Sequence, residues 1–208
     1  MRYKHIIWDW NGTLLDDRWL CVEGINQALV KRDLPPISED RYRKIFTFPV
    51  KEYYKKLGFD FDNEPFEVAG DEFVDYYGNN FHKTKLQKGS RNMLSKIQSK
   101  SISQSILSAA MERYLKNWVY AHKLEIYFSE IVGIDNQYAD GKIQEGIKLI
   151  NRLPFKRRDI VMIGDTNHDS DVAEELNINC ILIDHGHVNG KRLKKTGRTV
   201  VSNLMDII

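Results

Sequence analysis

The sequence predicts an α/β protein, a doubly wound parallel sheet with an inserted all-α cap domain. Three observations carry that prediction. From Gly89 onward, short apolar runs alternate with segments of helical period, the pattern of parallel strands joined by right-handed crossovers. Near the start, Ile6-Ile7-Trp8 form a continuous apolar run, as expected of a strand covered on both faces. Between these regions, residues 16 to about 82 carry helical patterns only and are rich in aromatics. The expected division is a core of 1–15 and 83–208 with a helical cap of 16–82, hinged near Leu15–Asp17 and His82–Gly89.

The first strand, Tyr3 to Trp8, runs into Asp9-Trp10-Asn11-Gly12-Thr13-Leu14-Leu15-Asp16. Asn11-Gly12 alone is a strong turn signal. Asp9, however, stands at the carboxyl end of a buried strand, where open α/β sheets bind ligands. Asp16 or Asp17 can cap a helix to about Arg32, with Trp19, Leu20, Val22, Ile25, Leu29 and Val30 apolar, and Leu34-Pro35-Pro36 stops it. Ser38 is an N-cap with Glu39 and Asp40 in the favoured first turn of a short helix to about Phe46. Pro49 opens a helix through Leu57 that Gly58 ends. A fourth helix is expected from about Glu64 to Phe81, burying Phe66, Val68, Phe73, Val74 and Tyr77.

Beyond Gly89 the expected order is helix Ser90–Gln98, strand Ser103–Leu107, helix Met111–His122, strand Glu130–Gly133 and helix Lys142–Leu153. Strand Ile160–Ile163, helix Asp169–Leu176, strand Cys180–Ile183 and a short strand near Thr199–Val201 follow. No internal repeat or low-complexity segment interrupts this order.

With 31 basic and 29 acidic residues, the balance does not suggest a nucleic-acid binder. The run Lys191-Arg192-Leu193-Lys194-Lys195 reads as a solvated helix face. Cys21 and Cys180 lie in apolar contexts without metal-ligand spacing, as buried free thiols of a reducing compartment would. The three-residue apolar run at the start is too short for a signal peptide, and no stretch approaches the ~20 apolar residues of a membrane span. A cytoplasmic protein is expected, with no membrane partner and a monomeric or homodimeric state.

Four polar stretches fall at the carboxyl ends of expected strands or just past them: Asp9-Trp10-Asn11-Gly12-Thr13, Ser108, Lys142 at the mouth of the helix after Asp140-Gly141, and Gly164-Asp165-Thr166-Asn167-His168-Asp169. A parallel sheet brings such ends to one edge. An attacking carboxylate, further carboxylates for Mg²⁺, a hydroxyl, an ammonium and backbone N–H groups are what transfer through an aspartyl phosphate needs. Taken singly, Ser108 reads as a helix N-cap before Ala109-Ala110, Lys142 as a solvated side chain, and His168 as a loop residue facing water or backbone. A cation in a helix's first turn opposes the helix dipole, however, so Lys142 calls for a nearby anion.

In these motifs the chain resembles the haloacid dehalogenase superfamily, whose members carry Asp-x-Asp-Gly-Thr, a Ser/Thr, a Lys and Gly-Asp-x-x-x-Asp in this order. It is similar to the helical-cap branch of phosphoglycolate phosphatase, with a Rossmann-like core. The resemblance implies a Mg²⁺-dependent phosphohydrolase acting on a small phosphorylated metabolite. It implies Asp9 as nucleophile and metal ligand, and the Asn11 carbonyl, Asp165 and Asp169 completing the metal site. By the same likeness Thr13, Ser108 and Lys142, with Asn11 and Gly12, hold the phosphoryl group.

One position departs from the pattern. The family's second Asp, which protonates the leaving oxygen and then activates water, is Asn11 here. An amide does neither near neutral pH, and a positioned acid–base group contributes ~10²–10⁴-fold. Two alternatives follow: a catalytically weak binding or regulatory protein, or a hydrolase of a substrate with a good leaving group, an acyl phosphate or a non-ester bond. A phospho-accepting receiver module is disfavoured by motif order and length.

Overall fold

The computed structural model describes residues 3–135 and 141–207. Strand β1 (His5–Trp8) is followed by the short strand β2 (Leu15–Asp16) and four helices, α1 (Arg18–Val30), α2 (Glu39–Ile45), α3 (Val50–Leu57) and α4 (Phe66–Asn80). Strand β3 (Lys85–Leu86) then returns antiparallel to β2. Strands and helices alternate from there: α5 (Ser90–Ser99), β4 (Ser103–Met111), α6 (Glu112–Ala121), β5 (Glu130–Ile134), α7 (Lys142–Arg152) and β6 (Ile160–Gly164). The last elements are α8 (Asn167–Glu175), β7 (Asn179–Ile183), α9 (Gly190–Leu193) and β8 (Thr199–Val201).

Six strands form one parallel sheet in the order β5-β4-β1-β6-β7-β8. Side chains alternate across it as a strand's period requires. Ile6 and Trp8 join the core beneath α5 and α6, with Met93, Leu94, Leu115 and Val119. Ile7 joins the opposite core, with Leu149, Val172 and Leu176 from α7 and α8. Burial on both faces explains why Ile6, Ile7 and Trp8 of β1 and all of β6 are apolar. From β1 the chain moves to β4 on one side, and from β6 to β7 on the other. The crevice between the ends of β1 and β6 is therefore the topological switch point, where such sheets bind ligands.

The helical segment has a core of its own, built from Val22, Ile25, Leu29, Tyr42, Tyr53, Tyr54, Leu57 and Phe66. Leu20, Tyr77 and Phe81 instead pack into the sheet's core. Ser38 caps α2 by accepting from the Arg41 N–H, and Gly58 closes α3 with φ 99°, as expected from the sequence.

Several expectations are corrected. Residues 16–82 are not purely helical, because Asp16 lies in β2, which pairs with β3 at the two expected hinges. On α4, Val68 is 43% exposed and Phe73 and Val74 are only half-buried, where burial is expected from the sequence. Strand β4 continues to Met111, past the expected end at Leu107, and α6 starts at Glu112. Ser108 therefore sits within a strand and caps nothing. Helix α8 starts at Asn167, capped by Thr166, two residues before the expected Asp169. His168 is thus helical, and its ring stacks on Phe48 at 4.6 Å. Cys180 is buried, whereas Cys21 is only half-buried; both are free. In the basic run Leu193 is fully buried, so only the lysines form a solvated face. Asp140 of the third motif lies outside the described residues.

Candidate active site

The register of β1 with its neighbours levels the strand ends. Trp8 pairs with Ile106 and Ile163, so Asp9 lies one residue past the end of β1, Asp165 one residue past the end of β6, and Ser108 level with them within β4. Asp9, Asp165 and Asp169 are all buried, and their carboxylate oxygens lie within 4.8 Å of one another. Lys142, 2% exposed, bridges two of them, donating to Asp9 Oδ1 and Asp169 Oδ1 at 2.6 Å each. These two anions offset the unfavourable cation at the start of α7 and explain its burial.

Each carboxylate is held by further bonds. Thr13 Oγ1 donates to Asp165 Oδ1 at 2.8 Å and lies 3.2 Å from Asp9 Oδ2. Asp169 Oδ2 accepts from the Thr166 N–H and hydroxyl, at 3.0 and 2.7 Å, in a capping box that starts α8. Asp165 Oδ2 accepts from the His187 N–H at 2.6 Å. A Cβ at Gly186 would lie 2.0 Å from that oxygen, and one at Gly12 (φ +74°) 2.4 Å from it, so both positions require glycine.

Burial pushes the Asp9 carboxyl up to about 8, against the pull of Lys142, and that of Asp165 up to about 6. Burial acts on Asp169 too, but the Lys142 ammonium outweighs it and holds that acid below its usual range. Lys142 is in turn held above its usual value, because Asp169 and Asp9 outweigh its own desolvation. Three carboxylates facing one ammonium leave an excess of negative charge, and two of the acids bear an uncompensated burial penalty. An all-oxygen donor set with that imbalance suits a hard divalent cation such as Mg²⁺.

Beside this cluster lies a second one, which the sequence reading missed. Asp17, fully buried at the N-cap position of α1, makes no capping bond. Its carboxylate instead accepts from the Gly12 N–H (2.8 Å), Asn11 Nδ2 (2.7 Å) and the Tyr77 hydroxyl (2.8 Å), and pairs with His187 Nε2 at 3.3 Å. Asn11 Nδ2 also donates to the Tyr77 hydroxyl at 2.9 Å, and His187 Nδ1 lies 2.9 Å from the Tyr42 hydroxyl. Burial would lower His187, but Asp17 outweighs it and raises the imidazole to about 9. Burial would raise Asp17, and His187 overcomes that, keeping the carboxyl below its ordinary value. The available signal was the loop after β7, Asp184-His185-Gly186-His187, a fifth polar strand end.

The expected residues thus divide by position. Asp9, Asn11, Ser108, Lys142 and Asp169 line one cavity of about 480 Å³ between the strand ends and the helical segment. Thr13 and Asp165 lie fully buried behind it, holding Asp9 and the loop after β7. The Gly12 N–H, expected on the phosphoryl group, is taken by Asp17. The Ser108 hydroxyl accepts from the Ala110 N–H at 3.1 Å, leaving its proton for another acceptor.

Residues 6–183 match the family model described as haloacid dehalogenase-like hydrolase. The fold is similar to the crystal structure of a predicted phosphatase from Clostridium acetobutylicum, with a TM-score of 0.84 and 22% identity over 99% of this chain and 96% of that one. Among curated proteins, Phosphoglycolate phosphatase 1 of Pseudomonas aeruginosa is 19% identical over 98% of this chain and 78% of its own. Tyrosine-protein kinase PtkA of Mycobacterium tuberculosis is 23% identical over 97% of this chain and 69% of its own. With its parallel sheet, its strand-end carboxylates and a family match across most of its length, the chain belongs to the haloacid dehalogenase-like hydrolases.

Proposed function

We propose that the protein is a Mg²⁺-dependent phosphohydrolase of a small phosphorylated metabolite, acting through an aspartyl phosphate on Asp9. The observation that carries this reading is the buried Asp9–Lys142–Asp169 bridge at the switch point, with Asp165 beside it. A metal held by Asp9, Asp165, Asp169 and the Asn11 carbonyl would neutralise charge on the phosphoryl oxygens. Lys142 fixes the Asp9 carboxylate for attack on phosphorus, with the ammonium and the Ser108 hydroxyl stabilising the phosphoryl group. The new bond joins an Asp9 oxygen to phosphorus while the bond to the leaving oxygen breaks. Water then attacks phosphorus of the aspartyl phosphate, the bond to the Asp9 oxygen breaks, and the water's proton leaves on the released inorganic phosphate, since Asn11 accepts none.

Asn11 supplies no proton to the leaving oxygen. Asp17, its neighbour, does not replace it, because His187 keeps that carboxyl ionised. Acyl and aryl phosphates, whose leaving oxygens are weak bases, are therefore the favoured chemistry. In this reading residues 16–82 act as a cap that shields the reacting group from water. Asn11 also favours a second reading, a phosphate-binding protein with little turnover. Hydrolysis of acetyl phosphate with Mg²⁺ separates the two. Turnover should be clear in the wild type and fall at least 10³-fold in Asp9→Asn, with an unchanged circular dichroism spectrum. Activity within a few-fold of wild type would remove Asp9 from the reaction.

A further inference from the structure

We propose that the leaving group this site accepts is uncharged, apolar and of aromatic size, unlike the short anionic skeleton of 2-phosphoglycolate. The proposal rests on the phosphohydrolase reading above and adds the chemical class of its substrate. The cavity that begins at Asp9, Ser108 and Lys142 holds about 480 Å³, far more than a two-carbon leaving group fills. Two groups of rings line it. Phe46, Phe48 and Tyr53 are in mutual contact through Phe46, and Phe73 and Trp118 each pack on Tyr77.

Charge points the same way. Lys142 is the one Lys or Arg among the described lining residues, and its ammonium is engaged by Asp9 and Asp169. The other lining carboxylates, Asp17 and Asp75, would repel an anionic substituent. The positive charge of His187 is committed to Asp17. His168 stacks on Phe48 and extends the aromatic wall. A carboxylate on the leaving group would lose its water here without gaining a free Lys or Arg partner among the described lining residues, a costly transfer. An aromatic ring would leave water for a surface that suits it, a gain on the order of tenfold to a hundredfold in affinity.

Three alkyl phosphates separate this effect from leaving-group chemistry. Ethyl and 2-phenylethyl phosphate release alkoxides of similar basicity, so the ratio of their kcat/KM values reads the cavity alone. With Mg²⁺ present, the 2-phenylethyl ester should exceed the ethyl ester by about tenfold or more, and 2-phosphoglycolate should fall below both. Val74→Arg, at a half-buried lining position on α4, should erase the phenyl preference and raise 2-phosphoglycolate turnover. Equal values for the ethyl and 2-phenylethyl esters, or a preference for 2-phosphoglycolate, would overturn the proposal. Acetyl phosphate run in parallel reports on the reaction itself, so its failure sinks the phosphohydrolase reading separately. Calorimetric titration of Asp9→Asn with the same three compounds reads the preference without turnover, and equal affinities there would also overturn it.

Discussion

On the proposed reading Asn11 stands where the family's pattern has an acid–base carboxylate, and its surroundings make restoring that carboxylate more than a neutral change. Its amide nitrogen sits 2.7 Å from Asp17 Oδ2 and 2.9 Å from the Tyr77 hydroxyl. In Asn11→Asp two carboxylates would meet where one donor and one acceptor now bond. Both cannot stay ionised at that distance, so the pair would share a proton. A shared proton is what an alkoxide leaving group lacks in the wild type. Asn11→Asp should therefore raise kcat/KM on ethyl phosphate by ~10²-fold or more, and on p-nitrophenyl phosphate only a few-fold. It should also lower stability at neutral pH, because one of the two buried carboxylates must stay protonated or both must repel. Equal gains on both esters would show that residue 11 is not where the leaving group departs.

At the scale of elements, the loop between β7 and α9 ties the sheet to the helical segment. Tyr42 and Arg43 of α2 meet it through His187 and Asp184, the latter an ion pair at 2.8 Å, and Arg18 of α1 bonds to the His185 carbonyl. Its buried ion pair, His187 with Asp17, makes the connection sensitive to pH. The imidazole is raised to about 9 from an ordinary 6.5, so its charged form is favoured in the folded state. That contribution is complete below about 6.5 and is lost as pH rises through about 9. Asp17, held low, adds stability that fails only in acid. The stability gap between wild type and His187→Gln in urea unfolding should be widest at about pH 6 and close towards about pH 10. A gap that does not change with pH would mean the imidazole is neutral in the folded protein.

For the whole molecule, the main electrostatic liability is the acidic cluster at the switch point. Asp9 and Asp165 have folded-state values of about 8 and about 6, above the ordinary carboxylate range. Their ionisation therefore costs stability once pH rises past their unfolded values, and the loss is complete above about 8. A divalent cation bound there would reverse it. At a concentration a hundredfold above its dissociation constant, a ligand adds ~2.7 kcal/mol, roughly 5–10 °C in Tm for a domain of this size. Thermal unfolding with MgCl₂ against EDTA should show that rise in wild type and none in Asp165→Ala. An equal rise in the variant would place the bound cation elsewhere.

Much of this protein was determined by its sequence. The apolar runs of β1 and β6, the helical periods between strands, Ser38, Pro49 and Gly58 as helix ends, the strand-end positions of Asp9 and Asp165 and the helix-start position of Lys142 are all local features. Period and capping act over a few residues, and a parallel sheet then carries the strand ends to one edge. What a side chain bonds to is set by segments distant in the chain, and only the tertiary structure decided it. Asp17 reads as an N-cap, yet the loop two turns before it, Tyr77 and His187 offer buried donors that outcompete the α1 N–H groups. The β2–β3 ribbon is two residues long on each side, too short for any periodicity to show. His187, 170 residues from Asp17, reaches it because β7 lies two strands from β1 in the sheet, a proximity that exists only once the sheet is formed.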